Sequence, residues 1–299
     1  MIVFGIVWIV GVWLLLLFGL GIAATIPFMR RREPDPPANP VEFGMPVEDV
    51  VFASRDGLEL GGWWIAAQNT ANSPVRGTVI MCPGQNGSMD KDLPQAQPLH
   101  AAGFNVLMFD FRGHGRSEGN VVTMGAFEQA DLFGAMDYLA KTHGIERVGI
   151  FGLSMGAGVA LMVAAQDKRV AALVADGAYP RLDGILAGYL RIQGIPGTLT
   201  RPLAWWVLRM GALRTRYQIY RANPADFAAR LKAPALLIHG DQDPFVTPDE
   251  ITTLAGQIPS QHELWRIPEA GHREAFAQQP AEYNQRVVAW FEAHLDQRI

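Results

Sequence analysis

The stretch "VGIFGLSMGAGVAL", residues 148–161, sets a serine between glycines directly after a run of small and branched apolar residues. "RVGIF" has the make-up of a buried strand and "MGAGVALMVAAQ" that of a packing helix, so Gly152-Leu153-Ser154-Met155-Gly156 fits G-x-S-x-G at a strand-to-helix turn. A serine there takes a strained backbone conformation that lifts its hydroxyl clear, and the flanking positions cannot carry bulk. Met155 then offers a backbone N–H at a helix start, where unpaired donors and the helix dipole favour an oxyanion. Taken alone, the pentapeptide has an alternative reading as a glycine-rich turn with a capping serine.

A serine hydroxyl is a poor nucleophile at neutral pH unless an imidazole takes its proton and a carboxylate orients that imidazole. Downstream, "LLIHGDQDPFVTP" (residues 236–248) ends a strand and opens a loop bearing Asp241 and Asp243. "LWRIPEAGHREAF" (residues 264–276) ends a later strand, with His272 in the loop before the next helix. The order Ser, Asp, His at three strand ends suits the motif. Asp241 and Asp176, the latter ending the strand "VAALVAD", remain alternative acids. The other six histidines have structural readings: His100 and His294 on helices, His143 and His262 near element ends, His114 in an "RGHG" loop, His239 at a strand end.

On either side of this turn, "TVIMC", "FNVLMFD", "RVGIF", "VAALVAD", "APALLIHG" and "HELWRI" alternate with helical patterns, as parallel strands covered on both faces do. Before them, "VEDVVFAS", the turn Arg55-Asp56-Gly57 and "LELGGWWIAA" read as a hairpin, followed by the polar loop "QNTANSPVRG". Residues 181–230 break the alternation and are too long for an ordinary connection. They hold Tyr189, Trp205, Trp206, Tyr217 and Tyr220, with eight arginines against two aspartates, and read as a helical cap over the sheet's C-terminal edge.

The first 28 of the 299 residues contain no charged side chain, and about 20 such residues cross a bilayer core. Residues 1–29 therefore read as a transmembrane anchor, with a cleavable signal peptide as the alternative, although the start is uncharged and the run long for one. Trp8 and Trp13 could sit at the interface, in lipid or against another helix. Arg30-Arg31-Arg32 follow, and the positive-inside rule puts the bulk of the chain in the cytoplasm. Residues 30–46, basic and then proline-rich ("EPDPPANP"), read as a stiff extended spacer between the anchor and a domain at 47–299. A net charge of −4 gives no sign of nucleic-acid binding. The single cysteine, Cys82, excludes an internal disulfide, no Cys/His cluster suggests a metal, and as the end of an apolar strand Cys82 reads as a buried small residue.

Over about residues 47–295 the sequence resembles the α/β-hydrolase superfamily, and within it the membrane-anchored serine hydrolases of the ABHD and monoglyceride-lipase-like branch. The motifs that carry the resemblance are "FDFRGHGRSEG" (residues 109–119), "GLSMG", "IHGDQDPFVTP" and "EAGH". It implies an eight-stranded, mostly parallel sheet with helices on both faces. Relatives read HG-x-x-D-x-x-V-P at the acid, which implies Asp243, here with Pro248 one residue later than usual. Relatives commonly carry His-Gly after the strand "GTVIMC", with the next backbone N–H in the oxyanion hole. That implies Gln85, with Pro83 standing in place of the histidine. "DFRGHGRSEG" lacks both the P-loop and the dinucleotide-site spacings, and the resemblance makes it a structural loop held by Asp110 and Arg112.

The expected activity is hydrolysis of an ester or thioester by Ser154, His272 and Asp243, with Met155 and Gln85 N–H groups as oxyanion donors and no metal or organic cofactor. Lipid-like or acylated substrates near the membrane suit the anchor and the basic, aromatic cap. A peptidase or amidase of the same fold is the alternative. A dehalogenase would need a carboxylate at position 154, and a relict interaction module would have no reason to keep all these groups.

Overall fold

The structure, a computed structural model, describes residues 2–68 and 74–295, so part of the loop after the hairpin lies outside it. Eight strands build one sheet: β1 (Glu48–Ala53), β2 (Glu59–Ile65), β3 (Gly77–Cys82), β4 (Phe104–Phe109), β5 (Val148–Leu153), β6 (Val170–Asp176), β7 (Ala235–Gly240) and β8 (His262–Ile267). Their order is β1-β2-β4-β3-β5-β6-β7-β8, antiparallel from β1 to β4 and parallel from there on. This is the α/β-hydrolase architecture, with the antiparallel hairpin at one edge.

Among the described residues, ten α-helices accompany the sheet: α1 (Ile2–Met29), α2 (Leu93–Ala101), α3 (Glu128–His143), α4 (Met155–Ala164), α5 (Leu182–Ile192), α6 (Gly197–Thr215), α7 (Ala225–Ala228), α8 (Pro248–Ala255), α9 (Ala275–Gln278) and α10 (Pro280–Leu295). Alternate residues of the central strands face opposite sides, as the pleat requires. Ile80 and Cys82 join an apolar cluster with Met136 of α3, Val159 of α4 and Leu186 of α5. Val79 and Met81 join another with Leu93 of α2 and Val287 and Phe291 of α10. Every residue of β5 is buried, which explains its unbroken apolar and small composition.

The region between β6 and β7 forms α5 and α6, a 3-10 turn at Ile219–Arg221 and α7. On α6 the inward face (Ala204, Val207, Leu208) is buried, while Leu199, Trp205 and Leu213 are more than half exposed. Arg209 stacks on both Trp205 and Tyr220.

The apolar helix α1 is long enough to cross a membrane, with a mean hydropathy of 2.5 over Trp8–Met29. Its two ends differ. Trp8, Leu15 and Leu20 are open to the surroundings, whereas Thr25 and Met29 are fully buried. A Cβ on Gly21 would fall 2.5 Å from Met210 Cγ and 2.7 Å from the Trp206 ring, so only glycine lets α1 lie this close to α6. Arg214 Nη1 donates to Thr25 Oγ1 at 3.1 Å along the same contact.

The segment expected as a spacer does not run free. Arg31 donates to the carbonyls of Gly115, Ser117 and Gly119, and Arg32 N–H donates to Gly113 O at 2.8 Å. Asp35 and Ser88 exchange hydrogen bonds, and Ala38 N–H donates to Asp90. Prolines do keep the segment extended, but its polar groups find partners on the domain at successive positions. Two of the three arginines read as a topology signal are therefore also structural.

Candidate active site

Each side chain of interest stands at the C-terminal end of a parallel strand, the edge where open α/β sheets place their sites. Ser154 follows β5 with φ 54° and ψ −113°, a region that costs a non-glycine residue about 1–3 kcal/mol. The turn is pinned from both sides: Ser154 N–H donates to Asp176 O at 2.7 Å, and Ser154 O accepts from Ala157 and Gly158 N–H. A Cβ on Gly152 would fall 2.5 Å from Gly156 O, and one on Gly156 would strike the Cys82 carbonyl. Both glycines are needed for α4 to start against β3 and β5. Gly158 plays a similar part further along, where Tyr179's ring occupies the place of a Cβ.

Ser154 Oγ lies 2.7 Å from His272 Nε2, and His272 Nδ1 lies 2.6 Å from Asp243 Oδ2. A carboxylate only accepts, so Nδ1 carries the proton and Nε2 faces the hydroxyl as an acceptor. Asp243 Oδ1 accepts from Phe245 and Val246 N–H at 2.8 and 3.2 Å, which fixes the carboxylate by its own loop. The Asp243 side chain is buried, whereas that of His272 keeps 19% of its surface, so the chain of bonds opens toward solvent at its serine end. Phe245 meets the imidazole edge-on at 5.1 Å, and a Cβ on Gly177 would fall 3.0 Å from His272 Cε1. Phe245 and the Gly177 backbone both border the imidazole.

The other acids are engaged elsewhere. Asp241 pairs with Arg266 at the surface, and that guanidinium holds its carboxyl below the usual range. Asp176 is buried and accepts from Tyr283 Oη at 2.7 Å; burial pushes its carboxyl up. Cys82 is wholly buried and its thiol is pushed well up by that burial, which suits a packing residue rather than a nucleophile.

The loop after β3 passes over the serine, since a Cβ on Gly84 would lie 3.4 Å from Ser154 Cβ. Among the described residues, no backbone acceptor takes the N–H of Gln85 or of Met155. Pro83 offers no N–H, but His114 reaches in from the "RGHG" loop, with Nε2 2.7 Å from Gln85 O and Nδ1 2.9 Å from Arg112 O. Asp110 and Arg112 do hold that loop. Asp110 accepts from Met89 and Arg116 N–H, and Arg112 pairs with Asp131 and Asp56.

Three residues escaped the sequence reading. Arg273, with φ 61°, directs its guanidinium to Asp92. Phe245 packs on the imidazole, and Asp35 clamps the loop beyond Gln85. Only Arg273 had a visible signal, a charged residue directly after the histidine; the others depend on contacts between distant segments.

A cavity of about 370 Å³ lies between α5 and α8, lined by Ile185, Arg201, Phe245 and Glu250 among others. It reaches Phe245 but neither Ser154 nor His272, so the serine–histidine pair sits beside this space rather than in it. Among the described residues no group of three or more histidine, cysteine, aspartate or glutamate side chains is placed to hold a metal ion.

Comparison with known proteins agrees with this architecture. The alpha/beta hydrolase fold family matches residues 77–205. An uncharacterized protein of Mycobacterium tuberculosis is 30% identical over 253 residues, 82% of this chain and 80% of its own. The alpha/beta hydrolase domain-containing protein WAV2 of Arabidopsis thaliana is 26% identical over 237 residues, 77% of this chain and 72% of its own. An esterase of Pyrococcus furiosus superimposes with a TM-score of 0.72 at 26% identity, covering 89% of this chain and 98% of that one. Sheet order, strand-end placement and these similarities lead to one conclusion: the chain belongs to the α/β-hydrolase superfamily and is a hydrolase with esterases among its structural neighbours.

Proposed function

We propose that the protein is a membrane-anchored serine hydrolase that cleaves carboxylic ester or thioester bonds of lipid-like or acylated substrates. The observation that carries this reading is the continuous hydrogen-bonded chain from Ser154 Oγ through His272 to Asp243, with the serine held at positive φ. Ser154 Oγ attacks the acyl carbonyl as His272 Nε2 takes its proton. The tetrahedral oxyanion lies against the free N–H groups of Gln85 and Met155, each worth on the order of 10²–10³ in kcat. His272 then gives its proton to the leaving alcohol or thiol, and water repeats the sequence in reverse on the acyl-enzyme. Asp243 keeps the imidazole in the tautomer this needs.

The membrane part of the proposal rests on α1 and the cap. The docking of residues 21–38 onto the hydrolase domain favours a retained helix over a cleaved one. Helix α6, which packs on α1 through Trp206 and Met210, leaves Leu199, Trp205 and Leu213 open, and residues 184–225 hold six arginines and no acidic residue. Apolar and aromatic groups flanked by arginines suit an anionic leaflet, on the cytoplasmic side by the positive-inside rule.

Replacing Ser154 by alanine is expected to abolish ester hydrolysis and labelling by a fluorophosphonate probe; intact turnover in Ser154→Ala overturns the proposal. A series of esters of increasing acyl length tests the substrate class, for which rising kcat/KM with chain length is expected. A preference for acetyl and propionyl esters would exclude lipid-like substrates.

A further inference from the structure

We propose that the end of α1 is a positioning element of the active site, acting through Phe28, Asp35 and the side chain of Gln85 on the loop that carries one oxyanion donor. The inference rests on the role given above to the Gln85 N–H. It starts from the helix end itself. The last four carbonyls of a helix have no partner within it, and buried carbonyls must find one elsewhere. Here Ile26 O accepts from Arg30 N–H, Met29 O accepts from Val122 N–H, and Pro27 O accepts from Arg32. Phe28 O accepts from Arg32 and also, at 3.2 Å, from Nε2 of Gln85. The oxyanion loop thus completes the cap of an apolar helix more than fifty positions earlier in the chain.

The remaining groups of that loop are held in the same way. Gln85 O faces His114 Nε2 at 2.7 Å. Asp35 Oδ2 accepts from Ser88 N–H at 2.7 Å, and Asp35 N–H donates to Ser88 Oγ at 3.1 Å. Gly87, at φ 87°, leaves room for the Asp35 carboxylate, which would collide with any Cβ there. With its side chain, its carbonyl and the residues after it all fixed, Gln85 retains one backbone group without a partner among the described residues, its N–H. An oxyanion donor serves the transition state only if its direction is set beforehand, so loosening these contacts costs kcat and leaves KM nearly unchanged.

The test uses the full-length chain in nanodiscs with a short, water-soluble ester such as p-nitrophenyl butyrate, so that access from the bilayer does not enter. Gln85→Ala and Asp35→Ala are each expected to lower kcat about tenfold, a fraction of the loss of a whole donor, with KM within about twofold. Gln85→Lys, which can still donate to the Phe28 carbonyl, is expected to restore most of kcat, whereas Gln85→Glu, which cannot, is not. Thermal unfolding of each variant separates this from general destabilisation, and hydrogen exchange over residues 84–90 of Gln85→Ala is expected to quicken. Wild-type kcat in both alanine variants, or equal kcat in Gln85→Lys and Gln85→Glu, overturns the proposal. Retained turnover in Ser154→Ala would instead overturn the hydrolase reading on which it rests.

Discussion

Arg273 follows His272 directly, and its Nη2 lies 2.6 Å from Asp92 Oδ1, so one ion pair joins the histidine loop to the segment beyond the loop that follows β3. Both side chains are largely buried, with exposures of 17% and 2%. Burial pushes the Asp92 carboxyl up while Arg273 draws it back. Removing the arginine alone leaves a buried carboxylate without its countercharge. Arg273→Met is therefore expected to lose about 3–5 kcal/mol. The double variant Arg273→Met/Asp92→Leu is expected to recover most of that loss, as urea denaturation will show.

The two aspartates of "GDQD" should separate cleanly. Asp243→Asn offers an amide where His272 Nδ1–H needs an acceptor, favours the wrong tautomer and is expected to lower kcat by roughly 10⁴. Asp241→Asn loses only a surface pair with Arg266 and is expected to stay within about threefold of wild type. Comparable losses in both would show that the carboxylate next to His272 is not the working acid.

Two glycine substitutions bracket the packing argument. Gly156→Ala would drive a methyl group into the Cys82 carbonyl, backbone against backbone, and is expected to cost about 3 kcal/mol or more and to abolish probe labelling. Gly256, at φ −63° with no neighbour closer than 3.5 Å to its Cβ position, is expected to accept alanine with a gain of about 0.4–1 kcal/mol. Melting temperatures of the two variants decide the matter.

Acid should weaken the fold in a defined window. Guanidinium partners hold Asp56 (Arg112), Asp137 (Arg55), Asp167 (Arg169) and Asp241 (Arg266) below the usual carboxylate range. A depressed folded pKa means that the unfolded chain takes up protons first. The stabilisation is thus complete above the unfolded value of about 4 and is lost as the pH falls through the folded values. A melting temperature that drops below about pH 4, with a shallower drop in Asp167→Asn, is the expected result of a pH series.

The outer stripe of α6 allows a test of the membrane reading that spares the chemistry. Replacing Trp205 and Leu213 with serine is expected to lower kcat/KM for a long-chain ester embedded in a bilayer while leaving a soluble short-chain ester unaffected. Equal losses on both substrates would assign the stripe to cap packing.

The parts legible in the sequence were those written in local patterns. Unbroken apolar runs gave the parallel strands, and G-x-S-x-G with its downstream histidine placed Ser154 and His272 at strand ends on one edge of the sheet. Between Asp241 and Asp243, the family pattern pointed to the residue that the structure sets against His272. Contacts between distant segments were hidden. Pro83 looked like a gap in the oxyanion loop, and nothing local indicated that His114, 29 residues later, would reach Gln85. The proline-rich segment looked like a spacer because prolines report backbone stiffness and say nothing of what the residues between them touch. Arg31 and Asp35 supplied those contacts.

The docked segment between α1 and the sheet has a mechanical consequence. A tethered domain on a flexible leash sweeps a volume around its point of attachment. Residues 30–38, pinned to the "RGHG" loop and to the segment after β3 at successive positions, allow no such sweep. Whatever tilt or rotation the open half of α1 adopts in its surroundings, Ser154 turns with it. The hydroxyl therefore keeps one height and one heading relative to that helix, and substrates must come to meet it there.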